Sequence, residues 1–421
     1  MAFKHGIYIQ EAATPIQAMI NVATPTVIIG VAPVHTSTIA IADASAADGD
    51  AAGGGDDITV RVSELVNNPI LIHNMDELQQ YFGYDSDSKW TLCAAARIFF
   101  EFYNVAPVIC INVFNPTTHK TGSSPDVTKV TAADIEAGLN LIDSIYPRLG
   151  VIPGIIIAPK YSTNVSVAQI MAAKCAKISG VFRTTAAVDL DTSQYKTYAQ
   201  AVEGKLQGGR DSEYLAVCWP LVKSGDESLS YLSVHYAALA NRVDAGNDDI
   251  PYESASNKIL SISSLRLADD TAVDLTLETA NELNAQGIVT AVRFNGWRLC
   301  GNRTGGFPAL SDVKDVFIPI KRMMVWVGNT LTVNFFSRID NPMNKRLIES
   351  IVDSCNIWLN GLAARGVILG GRVSFFAEDN PYTSLLDGKL LFHVYLGLAV
   401  PAESITFELQ YDTSYFETLF S

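Results

Sequence analysis

Apolar positions recur along this chain at two periods, and the switch between them marks its elements. From residue 132 onward, helical spacing and short apolar runs alternate. A helix at 132–145 leads to a strand at 151–158, a helix at 165–178 to a strand at 181–188, and a helix at 193–206 to a strand at 213–219; 229–243 is a further helix. Upstream, 26–32, 69–73 and 107–113 read as strands, with helices from Asn74 to Tyr81 and from Lys89 to Tyr103 between the last two. Runs apolar on both faces, separated by amphipathic helices, predict a parallel sheet covered on both sides, an open three-layer α/β domain.

Residues 244–274 are loop-rich and carry Pro251, so they mark a seam. Beyond it the pattern predicts a helix at 277–286, strands at 288–294 and 298–302, and a helix around 314–336. Asp340-Asn341-Pro342 then opens another helix, with Asn341 suited to the N-cap and Pro342 to the first turn. Its apolar stripe is Leu347, Ile348, Ile351, Val352, Cys355, Trp358, Leu359 and Leu362, and Gly366 ends it. Strands at 367–376 and 390–400 follow, with a turn at Asp387-Gly388 between them and Pro401 closing the second.

Both ends of the chain carry short one-sided or isolated strands. Near the C-terminus Ile405, Phe407, Leu409 and Tyr411 face one way and Thr406, Glu408, Gln410 and Asp412 the other. Near the N-terminus stands Gly6-Ile7-Tyr8-Ile9, followed by 11–22, which contains Pro15 and no helical stripe. Exposed strand edges invite pairing with another chain. On the residues alone, pairing inside their own domain is the simpler reading. The division expected is an N-terminal arm (1–22), an α/β domain (23–274) with an acidic insertion hairpin at about 35–68, a C-terminal α+β domain (275–403) and a C-terminal arm (404–421).

Composition narrows the function. The chain has 421 residues, a net charge of −14 and a pI near 4.9, which argues against wrapping nucleic acid. The N-terminus lacks the apolar core of a signal peptide, no apolar run reaches the length of a membrane span, and six scattered cysteines without a CxxC pair point to reduced thiols in a cytoplasmic setting. Gly53-Gly54-Gly55 lacks the lysine and helix of a phosphate cradle, and Pro308 follows the Gly301–Gly306 loop where a helix would have to start. Six histidines stand apart from one another, Asp189 and Asp191 end a strand as turn residues also do, and no GxSxG elbow exists. No catalytic, cofactor-binding or metal-ligating set emerges.

Several stretches resemble one family. Phe3-Lys4-His5-Gly6-Ile7-Tyr8-Ile9-Gln10-Glu11, Pro25-Thr26-Val27-Ile28-Ile29-Gly30-Val31-Ala32, Asp340-Asn341-Pro342 with its helix to Gly361, and Glu403-Ser404-Ile405-Thr406-Phe407-Glu408 are similar to contractile tail sheath proteins of the P2-like myophage type. The resemblance covers most of the chain but not the insertion at 37–66. It implies a virion-tail subunit, assembled in the host cytoplasm, that stacks as hexameric rings in a helical polymer around a tail tube protein, with a baseplate and a tail terminator as further partners. It implies no cofactor, no direct nucleic acid contact and no membrane insertion. It also implies a middle domain of subtilisin-like but non-catalytic fold, and the chain has neither a His-Gly-Thr nor a Gly-Thr-Ser-Met motif. By the same resemblance, Ile7, Tyr8 and Ile9 at one end and Ile405, Phe407, Leu409 and Tyr411 at the other are inter-subunit arms completing a neighbour's sheet, and a C-domain helix lies against the tube, so that Lys345, Arg346, Arg365 and Arg372 are either contacts to an acidic tube surface or a solvated helix face. The same subunit could equally serve a bacteriocin or an injection system. An α/β hydrolase would require a polar cluster at the strand ends.

Overall fold

The computed structural model describes residues 19, 21–33, 38–39, 58–59, 65–83 and 89–419. Eight strands form the main sheet, in the order Trp297–Cys300, Ile288–Arg293, Leu215–Cys218, Thr185–Asp189, Ile155–Ile157, Val27–Gly30, Val108–Asn112 and Pro69–Ile72. The six inner strands run parallel, and the outermost strand on each side runs antiparallel. Ile28 lies opposite Cys110 on one side and Ile157 on the other.

The apolar runs become these strands because both of their faces are covered. Side chains alternate, so Ile29 points one way and Thr26, Ile28 and Gly30 the other. Gly138, in the helix Ala132–Asn140, sits against Ile29 and Ile111, and the helix Val165–Ala176 packs beside it. On the opposite face the helix Thr91–Arg97 crosses so close to Gly30 that a Cβ there would stand 2.7 Å from Thr91 Oγ1. Leu232–Ala245 shares that face, with Asn241 Nδ2 donating to Thr26 Oγ1 at 2.8 Å. The layers are those the pattern predicts.

Several details differ. The sheet crosses the seam expected near 275, because Ile288–Arg293 and Trp297–Cys300 extend it. The loop-rich stretch before them contributes Ile262–Arg266 to a small antiparallel sheet with Leu221–Ser224 and Leu229–Tyr231. The helix expected around 314–336 is two helices, Val313–Val316 and Ile318–Phe335, broken at Phe317 in extended conformation, with Pro319 in the first turn of the second. The next helix, Lys345–Ala364, is capped by Asn344 rather than Asn341: Asn344 Oδ1 accepts from Leu347 N at 2.9 Å. The strands expected at 367–376 and 390–400 shorten to Gly370–Ser374 and His393–Gly397, and the helix Tyr382–Leu386 lies between them.

Thr38–Ile39 pairs antiparallel with Ile58–Thr59, the pieces expected to flank the acidic loop; the loop itself lies outside the described residues. All six cysteines are free and five are buried. Among the described residues no helix is long and apolar enough to cross a membrane, and no group of three or more His, Cys, Asp or Glu could hold a metal ion.

Candidate assembly interface

At one of the strand ends, where an enzyme of this architecture would work, the polar groups make structural contacts. Asp189, fully buried at the end of its strand, caps the helix Leu232–Ala245: Ser233 N donates to Oδ1 at 3.0 Å and Ser233 Oγ to Oδ2 at 2.5 Å, while Ser162 Oγ lies at 3.3 Å. Burial pushes its carboxyl up to about 6 against those hydrogen bonds. His235, on the same helix, is held by Tyr103 Oη at Nδ1 (3.1 Å) and by Ser230 and Ser224 Oγ at Nε2 (2.9 and 3.2 Å); burial pushes its pKa down to about 3.

These two groups act on stability with opposite signs. An unfolded chain protonates His235 below about pH 6.5 while the folded ring stays neutral, so its contribution is whole at neutral pH and lost as pH falls from about 6.5 toward 3. Folded Asp189 takes its proton near 6 and the unfolded side chain near 3.9, so its contribution is present below about 3.9 and lost as pH rises through about 6. Asp189→Asn removes the opposing slope. Urea unfolding of that variant is expected to lose stability more steeply between pH 6 and 4 than wild type, and parallel profiles would contradict the assignment.

The second body is built on the helix Ile318–Phe335. Met323, Trp326 and Val327 from it pack with Cys355, Leu359 and Leu362 from Lys345–Ala364 and with Val367, Ile368 and Val373, and Trp326 lies 5.6 Å from Trp358 between ring centroids. The same helix is fastened to the α/β body. Arg322 and Asp244 form a bidentate buried ion pair, with side chains 6% and 7% exposed. Asn329 bonds both the N–H and the carbonyl of Arg183, at 3.0 and 2.8 Å.

Against the Lys345–Ala364 helix lies a two-stranded sheet, Gly370–Ser374 with His393–Gly397, in which Val373 faces Val394 and Arg372 faces Tyr395. Asn356 closes one edge by taking Val373 N at 2.7 Å and donating to Val373 O at 3.2 Å. Because main-chain groups alternate in direction along an antiparallel pair, Val373 turned toward Asn356 leaves Arg372 and Ser374 bonded to the partner strand. Val394 and Leu396 then point their main-chain groups to the outer edge of His393–Gly397. Beside that edge two hollows open. One, of about 890 Å³, is walled by Ile320, Met324, Leu369, Val394, Leu396 and Leu398. The other, of about 360 Å³ and almost wholly apolar, is walled by Leu331, Phe335, Phe336, Ile351, Phe392 and Val394.

After Glu403 the described chain lies open to solvent as far as Phe416, and residues 404–412 join no strand. Ile405, Phe407, Leu409 and Tyr411 are 73–95% exposed. Ile7, Tyr8 and Ile9 lie outside the described residues. Of the four basic positions, Lys345 and Arg346 are neighbours on the exposed start of their helix, where Lys345 pairs with Glu349 at 3.5 Å. Arg365 stands at the far end of this 20-residue helix, about 30 Å away, where it holds Asp248 at 2.6 Å. Arg372 stacks on Tyr395 at 4.7 Å. The four therefore do not form one compact patch, because the length of the helix separates Lys345 and Arg346 from Arg365. The edge and its hollows escaped sequence reasoning; the periodicity marked both strands but not which of their edges Asn356 would close.

No family model matches the chain. It is 29% identical over 317 residues to the tail sheath protein of Burkholderia phage BcepMu, a match covering 70% of this chain and 64% of that protein. It is 24% identical over 363 residues to the tail sheath protein of Escherichia phage P2, covering 84% of this chain and 87% of that one. Among solved structures it is similar to a chain of the PVC sheath complex of an extracellular contractile injection system in the contracted state, with a TM-score of 0.68 at 16% identity over 99% of each chain, a likeness of fold. This chain is thus similar in sequence to proteins named as tail sheath proteins of phages, and it shares its fold with a sheath chain of a contractile injection system.

Proposed function

We propose that this chain is the structural subunit of a contractile sheath, polymerising as hexameric rings around a tail tube and joined copy to copy by its termini. The observation that carries the proposal is a complementarity. An alternating segment at 405–411 has nothing to cover it, and the outer edge of His393–Gly397 offers main-chain groups beside two hollows, one almost wholly apolar and one largely apolar with Asp312, Lys314 and Arg372 in its wall. Residues 405–411 of one copy add to that edge in another, with Ile405, Phe407, Leu409 and Tyr411 turned into the hollows. Residues 1–22, with Ile7, Tyr8 and Ile9, act as the second connector.

Contraction then needs no nucleotide. The paired connectors keep the lattice continuous while the bodies shift, and the contracted form gains the larger buried contacts after a trigger at the baseplate. The subunit assembles in the host cytoplasm, with the tube protein and tail terminator as further partners. Likeness to the PVC sheath supports a second reading, the same subunit in a non-viral contractile particle. Capsid and terminase genes beside this one would decide for the phage.

Val394→Pro tests the edge. It removes an outward N–H from an edge strand, a place where proline is tolerated, so the monomer should fold while polymerisation requires at least about tenfold more protein. Tubes forming at the wild-type concentration would exclude this edge. For the tube, the exposed pair Lys345 and Arg346 is the contact proposed; reversing both charges should weaken tube binding at low salt, and unchanged binding would remove it.

A further inference from the structure

Between the small sheet and the exposed tail, the chain returns to the α/β body. Leu398 seats against Val316, Phe317 and Ile320. Pro401 and Ala402 then run along a cavity of about 370 Å³ beside Phe294 and Arg298 of the large sheet's outer edge. Glu403 ends the crossing by taking Arg303 with both carboxylate oxygens, Nε to Oε1 at 2.7 Å and Nη2 to Oε2.

That guanidinium is held in place independently of Glu403. Its centre lies 4.6 Å from the Phe307 ring and 4.0 Å from the Phe317 ring, and Arg303 also forms a backbone bridge to Phe317. A planar cation fixed by two ring faces presents its fork in one orientation, which suits a bidentate carboxylate. Of residues 399–403 only Pro401 is half-buried, and the crossing is bounded by the packing of Leu398 at one end and the Glu403 ion pair at the other.

We propose that Arg303 and Glu403 form a mooring that fixes where the C-terminal connector leaves the body, and thereby its reach to the next copy. The inference rests on the strand-donation reading above. With the mooring open, residues 399–403 join the connector and add about 17 Å of slack, at roughly 3.3–3.6 Å per residue. A longer tether lowers the effective concentration of the donated strand and loosens the spacing it imposes between copies.

Two full-length variants test this. Glu403→Gln opens the mooring. A Gly-Ser-Gly insertion between Glu403 and Ser404 lengthens the connector with the mooring closed. Elastase cleavage after Ala399 or Ala402 should be about tenfold faster in monomeric Glu403→Gln than in wild type, and unchanged by the insertion. Both variants should keep the wild-type unfolding midpoint, require severalfold more protein to polymerise, and give polymers with a broader spread of ring spacing. Wild-type assembly by either variant, or no change in cleavage of Glu403→Gln, would overturn the mooring. Failure of strand donation itself would show separately, as normal tubes from a chain ending at Glu403.

Discussion

A chain ending at Glu403 is expected to remain a folded monomer, with the unfolding transition of the full-length protein, and to form no polymer at any practical concentration. The residues removed contribute little to their own body, since 404–416 are exposed and 404–412 pair with no strand. Their loss costs the assembly much more. Four apolar side chains leaving solvent for the hollows beside His393–Gly397 represent on the order of 6–12 kcal/mol of gross burial per junction, before the cost of ordering the connector. Sedimentation and negative-stain microscopy read the outcome. Hollow striated tubes from the truncated chain would show that contacts between bodies suffice.

The second large effect is expected inside the subunit. Asp244→Ala should destabilise the fold by about 3–5 kcal/mol in urea unfolding, because it strands a buried guanidinium. Burial pushes the Asp244 carboxyl up and works against the Arg322 charge as well, while each holds the other ionised. The pair is therefore costly to break rather than a source of net stability. Replacing both, as in Arg322→Met with Asp244→Leu, should recover most of the loss. A single substitution costing less than about 1 kcal/mol would mean that water reaches the pair. Ile318–Phe335 contributes to the apolar clusters of both bodies and is fastened by Arg322 and Asn329, which ties the two bodies together; under the proposed mechanism they would shift as one block.

Much of the fold was legible in the sequence, for a definite reason. Ile155–Ile157, Val108–Asn112 and Val27–Gly30 are apolar on both faces, and only a doubly covered parallel strand requires that. The misplaced seam has the converse cause. Ile288–Arg293 has the same apolar character as the strands before it, but which sheet a strand joins depends on a non-local crossover that no local pattern records. At 340–345 two asparagines could each cap a helix. Asn344 does so because Leu347, the first residue of the apolar stripe, falls at its third helical position, leaving Pro342 ahead of the cap.

The alternation at 405–411 was legible in the sequence, although residues 404–412 join no strand within the subunit. The acceptor edge proposed for it was not legible, because Asn356 closes one edge of the small sheet through a contact 17 residues away and leaves the other open. The Arg303–Glu403 contact spans 100 residues and had no local signal at all. The basic positions were legible as cations in an acidic chain, but their spacing along and beyond one 20-residue helix was not.

The central claim is tested most directly by tracing residues 404–412 in a cryo-electron microscopy map of the assembled polymer. The account predicts continuous density leaving each body at Glu403 and lying as an added strand along His393–Gly397 of another copy, with Phe407 and Leu409 inside the hollows. Density that turns back onto the same subunit's sheet, or that lies free on the outside of the tube, would contradict it.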